Sequence, residues 1–104
     1  MRAAFPLKEK YDFDDLVRIM RVLRGPNGCP WDAEQTHESI RKNLIEETYE
    51  AVEAIDAKDP VLLQEELGDV LLQVVYHAAM EEEEGSFSIG DVCDGVCKKL
   101  IHRH

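Results

Sequence analysis

No lysine or arginine occurs between Lys58 and Lys98, although that stretch holds Glu65, Glu66, Asp69 and the run Glu81 to Glu84. Cations are scarce throughout: 12 Lys and Arg stand against 22 Asp and Glu, a formal net charge of -10. That balance excludes a nucleic-acid backbone or an anionic membrane surface as the main partner, because like charges repel at long range. The opening MRAAFPLKEK lacks the apolar centre of a signal peptide, and no run approaches the roughly 18 apolar residues that span a bilayer. A soluble, cytoplasmic protein is expected. Cysteine is also sparse. Cys29, Cys93 and Cys97 are odd in number and form no CxxC pair, which fits a reducing compartment and not a disulfide framework. Cys93 and Cys97 lie one helical turn apart and are read as packing residues. Aromatics make up 7% of the chain, with Trp31 the single tryptophan. No β-type alternation, internal repeat or low-complexity segment is present, so the strand-rich classes drop out.

What remains is helical periodicity over a length of 104 residues and 44% hydrophobic content, enough for one core. We read a single domain over 1–104, with 1–11 as an irregular N-terminal arm around Pro6. Leu16, Ile19, Met20 and Leu23 make one apolar face of a first helix beginning near Asp14, which the turn formers Gly25-Pro26-Asn27-Gly28 end. Cys29 to His37 reads as a loop feeding a helix start: Asp32 with Gln35 matches a capping box, and Thr36 offers a second start. Trp31 in this loop either plugs the end of a bundle or walls a pocket for a flat ligand.

A second helix is predicted from about Thr36 to Ala57, its apolar stripe made by Ile40, Leu44, Thr48, Ala51, Val52 and Ile55. On the same wheel Glu47 and Glu50, with Asn43 between them in angle, flank the stripe, while Glu46 and Glu53 turn further toward solvent. Asp59-Pro60 is a strong helix start, and Gly85 suits the end of the third helix it opens. From Leu67 to Met80 this helix is apolar nearly all round, the mark of a central buried helix. A polar seam runs through it at Glu66, Asp69, Gln73 and His77. His77 is read as a core histidine bonded to a neighbour, and Glu81 to Glu84 as a solvated helix end. Ser88 with Asp91 caps a fourth helix with Ile89, Val92, Val96 and Leu100 on its apolar side and Lys98, Lys99, His102 and Arg103 at its C-terminal end. The expected fold is thus all-α, about four helices in a bundle.

Glu47 and Glu50 facing Glu66 and Asp69 across two antiparallel helices would crowd like charge into a partly desolvated gap, which is costly unless protons or cations relieve it. EExxE alone could be a solvent face with lysine partners. The second pair sits in the most apolar helix, far in sequence from any lysine or arginine, and so points to a site. Oxygen ligands without cysteine or histidine suit a hard ion, Mg²⁺ or Mn²⁺, completed by the phosphates of a substrate. A di-iron bundle would want Glu-x-x-His on two helices, and only Glu34-x-x-His37 matches.

The stretches CPWDAEQTHESI, LIEETYEAVEAI, EELGDVLLQVVYHAAMEEEEGSF and KKLIHRH resemble the MazG family of nucleoside triphosphate pyrophosphohydrolases over residues 13 to 104. EExxE followed by ExxD marks the wider all-α NTP pyrophosphatase superfamily, while CPWD-x-x-QTH and ELGD-x-LLQVV are closer to MazG itself. The resemblance implies a bundle completed by a second subunit, a homodimer or higher homo-oligomer. It also implies Mg²⁺-dependent hydrolysis of (d)NTP to (d)NMP and pyrophosphate, with broad or house-cleaning specificity. It makes Glu47, Glu50, Glu66 and Asp69 metal ligands, Glu46 or Glu50 the group that orients or deprotonates water, and Lys99 and Arg103 phosphate-binding. Trp31, Gln35, His37, Asn43 and Gln73 become the nucleotide pocket. Where the family usually carries Arg-Arg-His this chain has His102-Arg103-His104, and relatives often continue further, so a short form and a fragment are both open. The alternatives are a non-catalytic helical module that binds nucleotide or a partner, and a related dUTPase or phosphoribosyl-ATP pyrophosphohydrolase activity.

Overall fold

The structure, a computed structural model, describes residues 5–104. Among these residues it contains helices and no strand: α1 (Phe13–Arg24), α2 (Pro30–Glu34), α3 (His37–Asp56), α4 (Pro60–Glu84) and α5 (Ile89–Arg103). The all-α reading holds, with five helices in place of about four.

Local chemistry sets most of the boundaries. Asp12 caps α1 and exchanges hydrogen bonds with Asp15, Thr36 does the same with Ser39 at α3, and Ser88 with Asp91 at α5. Each satisfies amide groups that a first turn leaves without partners. The Asp32–Gln35 box does not form. Pro30, with no N–H to lose and its φ already set, takes the first position of α2, which places Asp32 inside that short helix. Gln35 instead donates from Nε2 to the Trp31 carbonyl at 2.9 Å and accepts from Ser39 Oγ at 2.8 Å. The expected second start, at Thr36, is the one used. Gly85 ends α4 in the left-handed region at φ 77, donating its N–H to Glu81 and Glu82. Lys58 does the same for α3 at φ 55, with the Asp59 N–H returning to the Ala54 carbonyl at 3.2 Å.

The core is not spread evenly along the helices. Val17 and Met20 of α1, Ile40 of α3, and Val75, Tyr76, Ala79 and Met80 of α4 form one buried cluster, with Leu16, Leu72 and Ile89 against it. Only the C-terminal half of α4 is therefore central. Leu67, Leu71 and Val74 are exposed, although the sequence suggests burial all round. The apolar stripe of α3 needs a similar correction: Ile40, Ala51 and Ala54 are buried, whereas Val52 and Ile55 are exposed. α5 has no buried residue; its backbone comes close to that of α4 alone, and Ile89 reaches the core cluster.

Ion pairs tie α1 to the end of α4. Arg21 meets Glu82 through two bonds of 2.8 and 2.9 Å. Arg24, its side chain 8% exposed, grips Glu83 at 2.6 and 3.0 Å and donates to the carbonyls of Asp32 and Gln35 at 2.7 and 3.1 Å. The acidic run is thus a solvent-facing helix end that also ties α4 to α1, through Glu82 and Glu83, with Glu84 exposed. At the other end of α1, buried Asp15 accepts from Lys8 and Arg18, each at 2.6 Å, which fastens the expected N-terminal arm at Lys8, residues 1–4 of that arm lying outside the described residues. Those partners, Lys8 foremost, hold its carboxyl well below the usual range.

Candidate metal centre

Helices α3 and α4 are joined by a tight hairpin and run side by side. Glu47 and Glu50 sit one turn apart on α3, and Glu66 and Asp69 one turn apart on α4. The hairpin brings one carboxylate oxygen from each to within 4.8 Å of the others. Glu47, Glu66 and Asp69 are half-buried and Glu50 is on the open side. Among the described residues no lysine, arginine or histidine pairs with any of them.

The electrostatic cost of this arrangement is visible in the acids themselves. Desolvation, then the hydrogen bond and charge of Glu50 and the charge of Asp69, push the Glu66 carboxyl up to about 7. Glu47 is raised as well, again by desolvation first and then by Glu50 and Asp69. One oxygen of each, Glu47 Oε2 and Glu66 Oε2, is buried without any hydrogen-bond partner. Buried acceptors left unsatisfied are expensive. Divalent cation binding would supply the missing partner for both oxygens and cancel the repulsion. The donor set, oxygen throughout and anionic, fits a hard cation.

The other residues singled out in the sequence lie in several places. Glu46 stands outside the cluster, exposed, with Lys42 Nζ 3.9 Å from its carboxylate. Gln73 continues the seam of α4 and is 7% exposed, its Oε1 buried and unpartnered. Asn43 is exposed on α3, one turn before Glu47. Trp31 is 60% exposed, so within this chain it does not plug the bundle. Its neighbour Gln35 is spent on the bonds that shape the α2–α3 junction. His37 meets His77 and Glu81. Lys99 and Arg103 lie exposed on α5, which makes no contact with α3. Sequence reasoning missed the Arg24 clamp and the Tyr76 hydroxyl that donates to the Asp32 carbonyl at 2.8 Å. Burial and the nearby Asp32 push that hydroxyl up to about 12. An arginine in the last turn of α1 and a tyrosine inside an apolar run were the only traces of this contact.

Comparison with known proteins bears on the same residues. The family described as MazG nucleotide pyrophosphohydrolase domain matches residues 35–104. A protein of Thermotoga maritima called nucleoside triphosphate pyrophosphohydrolase/pyrophosphatase MazG is 56% identical over 92 residues, covering 88% of this chain and 36% of that protein. The nucleoside triphosphate pyrophosphohydrolase of Escherichia coli K12 is 50% identical over 92 residues, covering 88% of this chain and 35% of that one. The uncharacterized protein YabN of Bacillus subtilis is 52% identical over 103 residues, 95% of this chain but 21% of its own length. The chain spans about a fifth to a third of the length of these relatives. On the match over residues 35–104, which include all four clustered acids, the chain belongs to the MazG family.

Proposed function

We propose that this chain is a Mg²⁺-dependent nucleoside triphosphate pyrophosphohydrolase domain, converting (d)NTP to (d)NMP and pyrophosphate with broad or house-cleaning specificity. The observation that carries this reading is the meeting of four carboxylates with no cation beside them and two buried, unpartnered oxygens. Glu47, Glu50, Glu66 and Asp69 would hold the ion, with Mn²⁺ the alternative. Bound there, the ion supplies the positive charge that lets an acidic surface accept a triphosphate and that stabilises charge on its oxygens. In the reaction a water oxygen bonds to the α phosphorus while the bond to pyrophosphate breaks. Glu50, on the open side of the cluster, and Glu46, one turn earlier, are the groups assigned to orient that water and take its proton. Gln73, with its free buried oxygen, and Asn43 are assigned to the nucleotide. Trp31, Gln35 and His37 remain assigned to the pocket wall, though Gln35 and His37 already serve internal bonds.

Lys99 and Arg103 are assigned to phosphate, and a second copy of the chain is part of that reading. Three apolar stripes lie uncovered: Ile45, Tyr49 and Val52 on α3; Leu67, Leu71 and Val74 on α4; Val92, Val96 and Leu100 on α5. Isolated exposed apolar residues are ordinary, but stripes in helical register on three helices suit a homodimer. The free thiols and the lack, among the described residues, of a helix long and apolar enough to cross a membrane suit the cytoplasm.

The direct test is incubation of the purified protein with single NTPs and dNTPs plus Mg²⁺, with product analysis. Pyrophosphate and monophosphate are expected, and both should vanish in Glu50→Gln and Asp69→Asn. Orthophosphate without pyrophosphate, or undiminished turnover in these variants, would refute the reading. Binding of nucleotide without turnover would favour a non-catalytic module.

A further inference from the structure

Outside the acid cluster the least ordinary contact lies where the first turn of α3 meets α4. His37 Nδ1 and His77 Nδ1 are 2.6 Å apart, their rings parallel to within 6° and their centroids separated by 4.9 Å. Rings stacked face to face could not combine that nitrogen distance with that centroid distance. The imidazoles meet edge to edge in a common plane, the geometry of an N–H···N hydrogen bond. Such a bond requires a proton on one Nδ1 and a bare lone pair on the other.

The surroundings settle where the remaining protons sit. Glu81 Oε1 accepts from Ser86 Oγ at 2.6 Å, and Glu81 Oε2 lies 2.5 Å from His37 Nε2. These donors, Ser86 first and then His37, hold the Glu81 carboxyl below its ordinary value, so it is an acceptor and His37 Nε2 is protonated. In the neutral pair His37 Nδ1 is therefore bare and accepts from His77 Nδ1–H. His77 Nε2 is then the free nitrogen, and it is buried with no partner. One added proton can be accommodated there, at the cost of a buried N–H; Gln73 Oε1, one turn earlier on α4, is likewise buried and unpartnered. When both rings are cationic, two N–H groups face each other at a distance that allows one.

We propose that His37 and His77 form a proton-operated latch. Sharing one Nδ1 proton they hold the first turn of α3 against α4, and when each ring carries its own the latch opens. The cleft beside His37 is lined by Glu38 on α3, Glu81, Glu83 and Glu84 on α4, and Arg24 on α1, with Thr36 and Gln35 uncharged. Arg24 is committed to Glu83, so the rim is acidic, and it is the bare inner nitrogen, not the rim, that resists the added proton. Burial, and then the neighbouring His37, lower the basicity of His77, in the direction the latch requires. Sign follows from linkage: a histidine harder to protonate folded than unfolded adds stability that is complete above the ordinary histidine range and is lost as pH falls through it.

The test is a titration of the intact chain from about pH 8 to about pH 5. Imidazole ¹⁵N shifts and amide exchange in the first turn of α3 are read together. At the upper end one Nδ1 of the pair should be protonated and the other bare. On acidification the protection of the Ile40 amide, which bonds the Thr36 carbonyl, should fall. The fall should be about tenfold for each unit by which the second protonation lies below an ordinary histidine. In His37→Asn, which keeps the Thr36–Ser39 cap, the pH dependence of protection should flatten. Two imidazoles titrating as independent histidines, or unchanged protection of Ile40 across the range in the wild-type chain, would overturn the proposal.

Discussion

At the scale of single residues, the raised carboxyls of Glu66 and Glu47 make the stability of the metal-free protein a function of pH. An acid whose folded pKa lies above its unfolded value favours the folded state when protonated. The advantage is therefore complete below the ordinary carboxylate range and is lost as pH rises toward about 7, the value for Glu66. In a His37→Asn background, where the histidine pair no longer acts in the opposite sense over the same range, thermal melts with a chelator should show the melting temperature falling from about pH 5 to about pH 8. Mg²⁺ or Mn²⁺ should restore it more at the alkaline end, where no proton competes for the oxygens. Asp69→Asn, which removes one of the charges bearing on Glu66, should reduce both slopes. A melting temperature independent of pH and of divalent ions would remove the metal-centre reading. The four acids were legible beforehand because Glu66 and Asp69 stood in an apolar helix without lysine or arginine, and Glu47 and Glu50 flanked the apolar stripe of the helix before it. The His37–His77 contact was not, since it joins residues on different helices whose facing rotamers no periodicity encodes.

At the scale of elements, the turn between α1 and α2 is the least tolerant joint. A Cβ built on Gly28 would lie 2.1 Å from the Val22 carbonyl oxygen and 2.4 Å from that of Leu23. All are main-chain atoms, so no side chain can yield. Next to it the Cys29 N–H bonds the Leu23 carbonyl at 2.9 Å, folding the chain back over the end of α1. Gly28→Ala should cost about 3 kcal/mol or more in chemical denaturation, the range of serious backbone strain and overpacking. Gly68→Ala, with nothing near its Cβ, should be neutral or slightly stabilising for a helix interior. Helices α1, α3, α4 and α5 were readable from spacing and caps, with boundaries close to those observed. α2 was hidden because five residues are too few to show a period, and Pro30 took the start that Asp32 had seemed to own. The α3 stripe was partly misjudged for another reason. Hydropathy marks Val52 and Ile55 as apolar but does not say whether their partner lies in the same chain.

At the scale of the whole molecule, the asymmetry of α4 is the dominant fact: one half is packed by α1 and α3, the other carries the acids beside uncovered leucines. If a second copy covers the three stripes, a charge placed on one of them should dissociate the assembly without unfolding the core. Val96→Glu is the chosen change, because α5 has no buried residue whose loss would confuse the result. Sedimentation should report a shift from dimer to monomer, with helical content retained and turnover reduced together with dimer. A wild-type chain that sediments as a monomer at micromolar concentration would discard this assignment.

The hairpin at Lys58 and Asp59 carries a further consequence. Its left-handed residue and returning hydrogen bond set not only the angle between α3 and α4 but also how far α4 is rotated about its own axis. Adding or removing one residue there would turn the start of α4 by about 100° and carry Glu66 and Asp69 away from Glu47 and Glu50. Every acid would still be present, and both helices could still form. The joint therefore meters chain length, making the centre more sensitive to a change in the number of residues at this corner than to a change in their kind.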